Sequence, residues 1–241
     1  MTTTVNADVG EGIGLHEFGN DEELMTLIDV ANVACGFHAS DPQIMDLTVR
    51  RAAENGVAVG AHPGLPDLAG FGRRAMVLSS DEVENIIRYQ VGALTGYLRK
   101  YGLELNHIKP HGALYGMVGR DADLMRGVVR VAADYGVPVL GLANTKHREV
   151  CQEMGVSFIA EAYVDLNYGA DGSLLIERAP KPADPTVAAD RIRTALTEGW
   201  IAAVDGTKLP AVFGSVCVHS DPANAADVVR AVRAAIDDVE K

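Results

Sequence analysis

The sequence predicts an α/β barrel, and three observations support this fold class. Short apolar or β-branched runs alternate with longer helical patterns along the whole chain, as expected for βα units that build a mainly parallel sheet. Glycines follow several helical patterns and precede the next strand-like run, where a left-handed residue commonly ends a helix. No Ser/Gly-rich linker or block of charge interrupts the alternation. We therefore predict one barrel domain spanning residues 1–241.

Seven strands are predicted from the apolar runs. They cover residues 3–7, 30–34, 57–61, 106–109, 138–142, 157–161 and 215–218. The dipeptides Asp171-Gly172 and Asp205-Gly206 are typical of tight hairpin turns. We expect them to form small antiparallel additions near the sixth βα unit.

Two helix starts have clear capping signals. Asp41 stands directly before Pro42, which places a capping side chain ahead of a proline in the first turn. Ser79 and Glu82 have the spacing of a capping box, and a long amphipathic stretch follows them. Both positions predict helices that follow a polar loop, as the barrel requires.

The charge and cysteine content exclude several classes of protein. Lys and Arg total 21 against 33 for Asp and Glu, a formal net charge of −12, which disfavours nucleic acid and anionic membranes as partners. No apolar run reaches the roughly eighteen residues of a membrane span, and no signal sequence is visible. The odd set Cys35, Cys151 and Cys217 fits neither a disulfide framework nor a zinc knuckle. We expect a cytoplasmic protein with reduced thiols.

Polar residues just beyond the predicted strands mark a candidate site. In parallel barrels, functional side chains come from the carboxyl ends of the strands and the loops that follow. The residues at these positions are Asn6, Asp8, Glu11, Asn32, Cys35, His38, His62, Lys109, His111, Asn144, Glu161, Asp165 and His219. Polar loop residues are ordinary, and any one of them could simply cap a helix. Histidines gathered on one rim nevertheless favour a functional site.

Two chemistries suit this set. In the first, Asp8, His38 and His62 bind a divalent metal ion, which lowers the pKa of a bound water. No local spacing motif supports this ligand set, and the same residues could be hydrogen-bonded without a metal. In the second, Asp8 or a histidine activates water, while Lys109 and the asparagines stabilise an oxyanion.

Lys109 is central to both chemistries. It closes an apolar run beside Pro110, so its ammonium group should be partly buried and should need a carboxylate partner. The candidate partners are Asp8, Glu161 and Asp165. His111 follows two residues later and is a further candidate catalytic residue.

The Gly/Pro-rich segment of residues 61–74 ends in Arg73 and Arg74. It could act as a lid whose arginines bind a carboxylate or phosphate of the substrate. Alternatively, both arginines form surface ion pairs. A P-loop and a serine nucleophile elbow are absent from the sequence. Cys35 lies close to His38 and could be a nucleophile, although a buried structural cysteine is the more common situation.

Several long motifs resemble the LamB/YcsF family, in order and over nearly the whole chain. They are Val5-Asn-Ala-Asp-Val-Gly-Glu-Gly12, Ala31-Asn-Val-Ala-Cys-Gly-Phe-His38, Gly60-Ala-His-Pro-Gly64, Gly70-Phe-Gly-Arg-Arg74, Tyr89-Gln-Val-Gly-Ala-Leu94, Lys109-Pro-His-Gly-Ala-Leu-Tyr115, Asp171-Gly-Ser-Leu174 and Ser215-Val-Cys-Val-His-Ser-Asp221.

The resemblance implies a fold and an activity. The fold is a seven-stranded (β/α) TIM-like barrel related to glycoside hydrolases and polysaccharide deacetylases. The activity is ATP-dependent opening of the 5-oxoproline lactam to L-glutamate, together with two further 5-oxoprolinase subunits, B and C. Because the P-loop is missing, nucleotide handling is expected in the partner subunits.

One position departs from the family pattern. In Glu161-Ala-Tyr-Val-Asp-Leu-Asn-Tyr168, Leu166 stands where the family usually has an arginine, and leucine cannot replace a planar cation that binds a carboxylate. Either another cation such as Arg73 takes this role, or the substrate is a different lactam or cyclic amide.

Two other functions remain open at this stage. The chain could be a stand-alone metal-dependent deacetylase or carbohydrate hydrolase, as the wider kinship of the barrel suggests. It could also be a binding subunit that retains the barrel without catalysis, and Leu166 is the feature that supports this alternative.

Overall fold

A barrel of parallel strands forms the centre of the computed structural model, which describes residues 2–16, 18–175, 182–220 and 222–241. The strands in these residues are β1 (Thr4–Val9), β2 (Val30–Ala34), β3 (Ala58–His62), β4 (Leu105–Ile108), β5 (Val139–Gly141), β6 (Phe158–Tyr163), β7 (Asn167–Tyr168), β8 (Leu174–Leu175), β9 (Trp200–Ala202), β10 (Lys208–Pro210) and β11 (Ser215–Cys217). The closed barrel has the order β1-β11-β6-β5-β4-β3-β2. The predicted seven-stranded α/β barrel is therefore confirmed.

The barrel closes between its first and last strands. β1 pairs in parallel with β2 on one side, where Asp8 lies opposite Asn32, and with β11 on the other, where Val5 lies opposite Val216. Every predicted strand is present, and the bounds differ by at most two residues. The largest shifts are at the ends of β1 and β6, and β1, which was predicted to end at residue 7, includes Asp8 and Val9. Asp8 therefore lies inside β1, opposite Asn32 of β2, and not in the loop beyond the strand.

Helices follow the barrel strands. They are α1 (Asp21–Leu24), α2 (Pro42–Asn55), α3 (Ser80–Lys100), α4 (Gly112–Arg120), α5 (Ala122–Tyr135), α6 (Lys146–Glu153), α7 (Pro185–Glu198) and α8 (Ala225–Glu240). The Asp41 side chain accepts hydrogen bonds from the amides of Gln43 and Ile44 at the start of α2, and Ser79 and Glu82 form the capping box of α3. Both capping predictions are confirmed. Within the described residues, no helix combines the length and apolarity needed to cross a membrane.

Side chains alternate between the two faces of the barrel wall. In β1, Val5, Ala7 and Val9 belong to the hydrophobic core, whereas Asn6 and Asp8 contact Asn32 of β2 through hydrogen bonds. The outer face thus packs against apolar helices. The inner face carries polar groups towards the carboxyl ends of the strands.

Two short antiparallel pairs decorate the barrel between β6 and β11. β7 pairs with β8 and β9 pairs with β10. Gly172 and Gly206, in the connecting turns, have positive φ angles of 79° and 88°, which favour glycine. The predicted hairpins at Asp171-Gly172 and Asp205-Gly206 are confirmed.

Candidate active site at the mouth of the barrel

A buried ammonium group lies between two carboxylates at the mouth. Lys109, directly after β4, is only 1% exposed. Its Nζ lies 2.9 Å from Oδ1 of Asp8 and 3.2 Å from Oε2 of Glu161. We call Asp8, Lys109 and Glu161 the ammonium cluster. The predicted carboxylate partner is confirmed for Asp8 and Glu161, whereas Asp165 pairs with His219 instead.

The charges within this cluster stabilise one another. Burial raises the pKa of Asp8, but the charges of His62 and Lys109 outweigh burial and hold this pKa well below its usual value. Burial lowers the pKa of Lys109, but the carboxylate of Asp8, with further contributions from Cys217 and Glu161, raises it well above the ordinary value. Asp8 is therefore a carboxylate and Lys109 an ammonium ion at neutral pH.

Two asparagine side chains, Asn6 and Asn32, form hydrogen bonds with the ammonium cluster. Asn32 Nδ2 donates to Asp8 Oδ1 at 2.7 Å and to Asn6 Oδ1 at 2.8 Å. Lys109 Nζ also donates to Asn6 Oδ1, at 3.4 Å. The predicted asparagines thus position the charged groups.

Two residues of this network were not among the predicted site residues. His107 Nε2 lies 2.7 Å from Asn32 Oδ1, and Cys217 Sγ lies 3.1 Å from Lys109 Nζ. His107 precedes Lys109 by two residues, and Cys217 precedes His219 by two. Side chains two apart in a strand share a face, so this parity was the signal that would have identified both.

A second cluster lies beside the first. Glu11 follows β1, His38 lies in the loop after β2, His62 ends β3, and His111 precedes α4; we call these four residues the histidine cluster. The rings of His38 and His111 stack with centroids 3.6 Å apart, and the His62 ring is perpendicular to both.

The nitrogen and oxygen atoms of the histidine cluster converge. His62 Nε2 lies 3.0 Å from His111 Nδ1, and Glu11 Oε1 lies 3.2 Å from His38 Nε2 and 3.4 Å from His111 Nδ1. Burial, and then the neighbouring imidazoles, lower the pKa of both His38 and His111 well below the ordinary value. These two rings are therefore neutral at physiological pH.

The two clusters meet at Asp8. Its Oδ2 lies 3.2 Å from His62 Nε2 and 3.7 Å from His219 Nε2. Burial lowers the pKa of His219, but the charge and hydrogen bond of Asp165, at 3.0 Å, raise it to about 9. His219 is thus a cationic histidine next to the anionic Asp8.

The Gly-rich loop after β3 packs directly on the histidine cluster. A Cβ on Gly64 would lie 2.4 Å from His38 Nδ1, and one on Gly72 would lie 2.8 Å from His38 Cβ. The Phe71 carbonyl also accepts a hydrogen bond from His111 Nε2 at 2.9 Å. The glycines therefore allow the loop to cover the imidazoles at close range.

The two arginines of this loop have different surroundings. Arg74 Nε donates to the carboxylate of Asp67 at 2.9 Å, so the alternative of an ion pair is confirmed for Arg74. The guanidinium carbon of Arg73 lies 5.0 Å from the centre of the Phe71 ring. Arg73 also lines a cavity of about 410 Å³ together with Glu11 and His38, which places it at the edge of the candidate site.

Two expected rim residues do not contribute to either cluster. Cys35 is buried, its Sγ donates to the Val33 carbonyl at 3.1 Å, and burial raises the pKa of its thiol to about 12. A protonated, hydrogen-bonded thiol is a poor nucleophile, so the nucleophile interpretation of Cys35 is unsupported. Asn144 is exposed in the turn after β5.

The histidine cluster contains suitable metal donors. Ligand atoms of Glu11, His38, His62 and His111 lie within 4.8 Å of one another, and imidazole and carboxylate are donors that ions such as Zn²⁺ take. Of the three expected ligands, His38 and His62 belong to this group and Asp8 does not. Asp8 forms a group with Cys217 and His219, where the ammonium of Lys109 opposes a second cation.

Residues from distant parts of the sequence meet at one mouth. Buried acids, imidazoles and an ammonium group at the carboxyl ends of parallel strands are the arrangement of barrel enzymes. A sequence model of the LamB/YcsF family matches residues 3–240. The chain belongs to the LamB/YcsF family. The last residue of its motif 215–221 lies outside the described residues.

Similar proteins share nearly the full length. The lactam utilization protein lamB of Emericella nidulans is 43% identical, over 98% of this chain and 95% of its own. The A subunit of a 5-oxoprolinase from Thermococcus onnurineus is 39% identical, over 99% of this chain and 95% of its own. The crystal structure of a lactam utilization protein from Thermus thermophilus has a TM-score of 0.90 and 40% identity, covering 100% of this chain and 98% of that one. The names of these relatives refer to lactam utilisation and to 5-oxoprolinase.

An arginine of α7, Arg191, lies near Leu166. Leu166 is partly buried and packs against the hydrophobic core. Arg191 of α7 donates to the Val164 carbonyl at 3.1 Å and to the Asn167 side chain at 3.2 Å. A cation therefore lies close to this position, engaged with the main chain.

Proposed function

We propose that this chain opens the lactam of 5-oxoproline to L-glutamate in an ATP-dependent reaction, as the A-type subunit of a cytoplasmic complex with two further subunits, B and C. The names of the relatives support the substrate class. The observation that carries the proposal is the ammonium cluster, in which Lys109 Nζ lies 2.9 Å from an Asp8 carboxylate at the barrel mouth. It provides a base and a cation within reach of one bound carbonyl group.

The residues of the mouth have complementary roles in lactam hydrolysis. Asp8, with His62 at 3.2 Å, takes a proton from the attacking water. The Lys109 ammonium lies beside the carbonyl oxygen, which carries the phosphoryl group from ATP, and stabilises the negative charge there as water adds to the carbonyl carbon. His219, whose pKa of about 9 keeps it protonated, donates a proton to the ring nitrogen as the C–N bond breaks.

ATP serves to activate the substrate. A five-membered lactam is a poor electrophile, so transfer of the γ-phosphoryl group of ATP to its carbonyl oxygen, with release of ADP, precedes attack by water in the proposed sequence. Addition of water and cleavage of the C–N bond give an acyl phosphate, which a second water hydrolyses to L-glutamate and inorganic phosphate. Since the chain lacks a P-loop sequence, we assign ATP binding to the partner subunits. Arg73, which lines the cavity with Glu11 and His38, binds the substrate carboxylate in place of the arginine missing at Leu166.

The test is ATP-dependent glutamate release from 5-oxoproline, with and without the partner subunits. We expect turnover only in the complex, and a loss of about 100-fold or more in the Asp8→Asn complex. Asp46→Asn, which alters a carboxylate paired with Lys100 outside the mouth, is the matched control and should retain activity. Normal turnover by the isolated chain with ATP would exclude the proposed division of labour, and full turnover by Asp8→Asn would favour a non-catalytic binding subunit.

The histidine cluster favours one alternative function, a stand-alone metal-dependent deacetylase or carbohydrate hydrolase. Its donor set, Glu11 with three imidazoles, is compatible with metal-assisted hydrolysis. Under this alternative, the isolated chain hydrolyses N-acetylated or glycosidic substrates without ATP, and a chelator abolishes this activity.

A further inference from the structure

Backbone carbonyls determine which nitrogens of two buried histidines carry protons. His62 Nδ1 lies 2.8 Å from the Lys109 carbonyl oxygen, and His111 Nε2 lies 2.9 Å from the Phe71 carbonyl oxygen. A carbonyl oxygen only accepts hydrogen bonds, so both of these nitrogens are donors. Metal binding requires the neutral form of each ring, in which the other nitrogen holds a lone pair. These are His62 Nε2 and His111 Nδ1.

The two lone pairs face each other. His62 Nε2 and His111 Nδ1 are 3.0 Å apart, and Glu11 Oε1 lies 3.4 Å from His111 Nδ1. His62 Nε2 also lies 3.2 Å from Asp8 Oδ2, so carboxylate oxygens of Glu11 and Asp8 approach these two nitrogens, and a cation bound among them would balance the carboxylate charge. The fourth member, His38, directs Nε2 towards Glu11, while its Nδ1 has no hydrogen-bond partner among the described residues. In the metal-free protein His38 Nε2 donates to Glu11, and binding of a cation at Nε2 moves the ring proton to Nδ1.

Three of the spacings among these atoms are close to those around a tetrahedral ion, and the stacked rings of His38 and His111 have to turn relative to each other for both nitrogens to point at it. Bonds of about 2.0–2.1 Å to a tetrahedral Zn²⁺ place neighbouring ligand atoms about 3.3–3.4 Å apart. The contacts His62–His111, His38–Glu11 and His111–Glu11 measure 3.0, 3.2 and 3.4 Å. The far nitrogens of His62 and His111 donate to carbonyl oxygens, as metal-binding histidines typically do.

We propose that Glu11, His38, His62 and His111 bind one divalent cation of the Zn²⁺ class, through three nitrogens and one carboxylate oxygen. Asp8 is outside the ligand set because its carboxylate is already paired with Lys109 at 2.9 Å. The site does not depend on the lactam reaction. Its test contains no activity measurement, so failure of either proposal leaves the other standing.

The experiment is a Zn²⁺ titration of the tag-free, chelator-treated chain, followed by calorimetry and elemental analysis. We expect one equivalent of Zn²⁺ per chain. Glu11→Gln and His111→Gln should each weaken binding by about 100-fold or more, since each removes a ligand. Asp8→Asn removes a carboxylate beside the ligand His62 and should weaken binding less than Glu11→Gln does. His16→Gln, at an exposed histidine, should change affinity by less than about threefold.

Co²⁺ provides a check that does not depend on variant folding. The wild-type chain loaded with Co²⁺ should show the intense visible bands of a tetrahedral ion. Weak octahedral bands, or less than stoichiometric Zn²⁺ uptake by the wild type, would overturn the proposal and leave a shared proton as the charge that holds the cluster together. Retained affinity in Glu11→Gln with lost affinity in folded Asp8→Asn would overturn it as well.

Discussion

The ammonium cluster and the histidine cluster lie side by side but differ in how their charges are balanced. In the ammonium cluster, one cation, Lys109, contacts the two carboxylates of Asp8 and Glu161. In the histidine cluster, the neutral imidazoles of His38 and His111 lie against the single carboxylate of Glu11. The ammonium cluster therefore contains both the cation and the anions that balance it. The histidine cluster contains donor atoms without a cation, and we propose that a metal ion binds there.

The largest effect is expected from removing the central cation. Lys109→Met leaves Asp8 and Glu161 as buried carboxylates without a partner. We expect the free energy of unfolding to fall by about 3–5 kcal/mol, measured by urea denaturation at pH 7. Adding Asp8→Asn to this variant should recover part of the loss. A decrease below about 1 kcal/mol would show that the cluster is solvated and that the contrast with the histidine cluster is incorrect.

The second prediction concerns the cationic histidine beside the ammonium cluster. Asp165→Asn should lower the pKa of His219 from about 9 towards 6.5, because it removes the paired carboxylate. The raised pKa contributes stability that is present below about pH 6.5 and is lost as the pH rises through about 9. The lowered pKa of Asp165 contributes stability above its usual pKa that is lost in acid.

NMR titration of the His219 ring and urea denaturation across pH measure these effects. The stability gap between wild type and Asp165→Asn should be largest near pH 6 and should narrow above pH 9. A pKa for His219 that is the same in both proteins would contradict the assignment of Asp165 as its partner.

The third prediction perturbs the histidine cluster through its covering loop. Gly64→Ala places a Cβ 2.4 Å from His38 Nδ1, which should destabilise the fold by about 1–3 kcal/mol. Gly96→Ala is the matched control, since no atom lies within 4 Å of its new Cβ and it lies in α3. It should stabilise the protein by about 0.5–1 kcal/mol. Equal effects of the two substitutions would show that the loop does not press on His38.

The smallest effect is expected from an exposed ion pair. Arg126 contacts Asp123 and Glu153 on the surface of the helices. Solvent screens such pairs, so Arg126→Ala should leave the urea midpoint within experimental error. A loss comparable with that of Lys109→Met would mean that burial is not the origin of the strength of the ammonium cluster.

The sequence predicted the barrel well because each strand is an apolar run between loop signals, and parallel strands deliver their ends to one mouth. That rule is sufficient to bring Asp8, His62, Lys109 and His219 to the same mouth. The rule does not show which of Asp8, Glu161 and Asp165 pair with Lys109. This choice depends on the register between strands that are far apart in the chain.

The predicted metal ligands show the same limit of inference from the sequence alone. The expected set joined Asp8 to His38 and His62, whereas the structure groups these histidines with Glu11 and His111. Glu11 lies three residues beyond Asp8, after a turn in which Gly10 has a φ angle of 71°. The direction of a side chain after such a turn is set by local backbone geometry. Counting residues beyond a strand does not reveal it.

The pairing of β1 with β11 has a consequence for synthesis of the chain on the ribosome. A nascent chain that has not yet produced Ser215–Cys217 exposes unpaired edges on β1 and β6, which are prone to associate with other strands. Lys109 then also lacks the neighbouring thiol of Cys217. Final closure is thus a late, long-range event, and chaperone protection should matter most in the interval before the last barrel strand emerges.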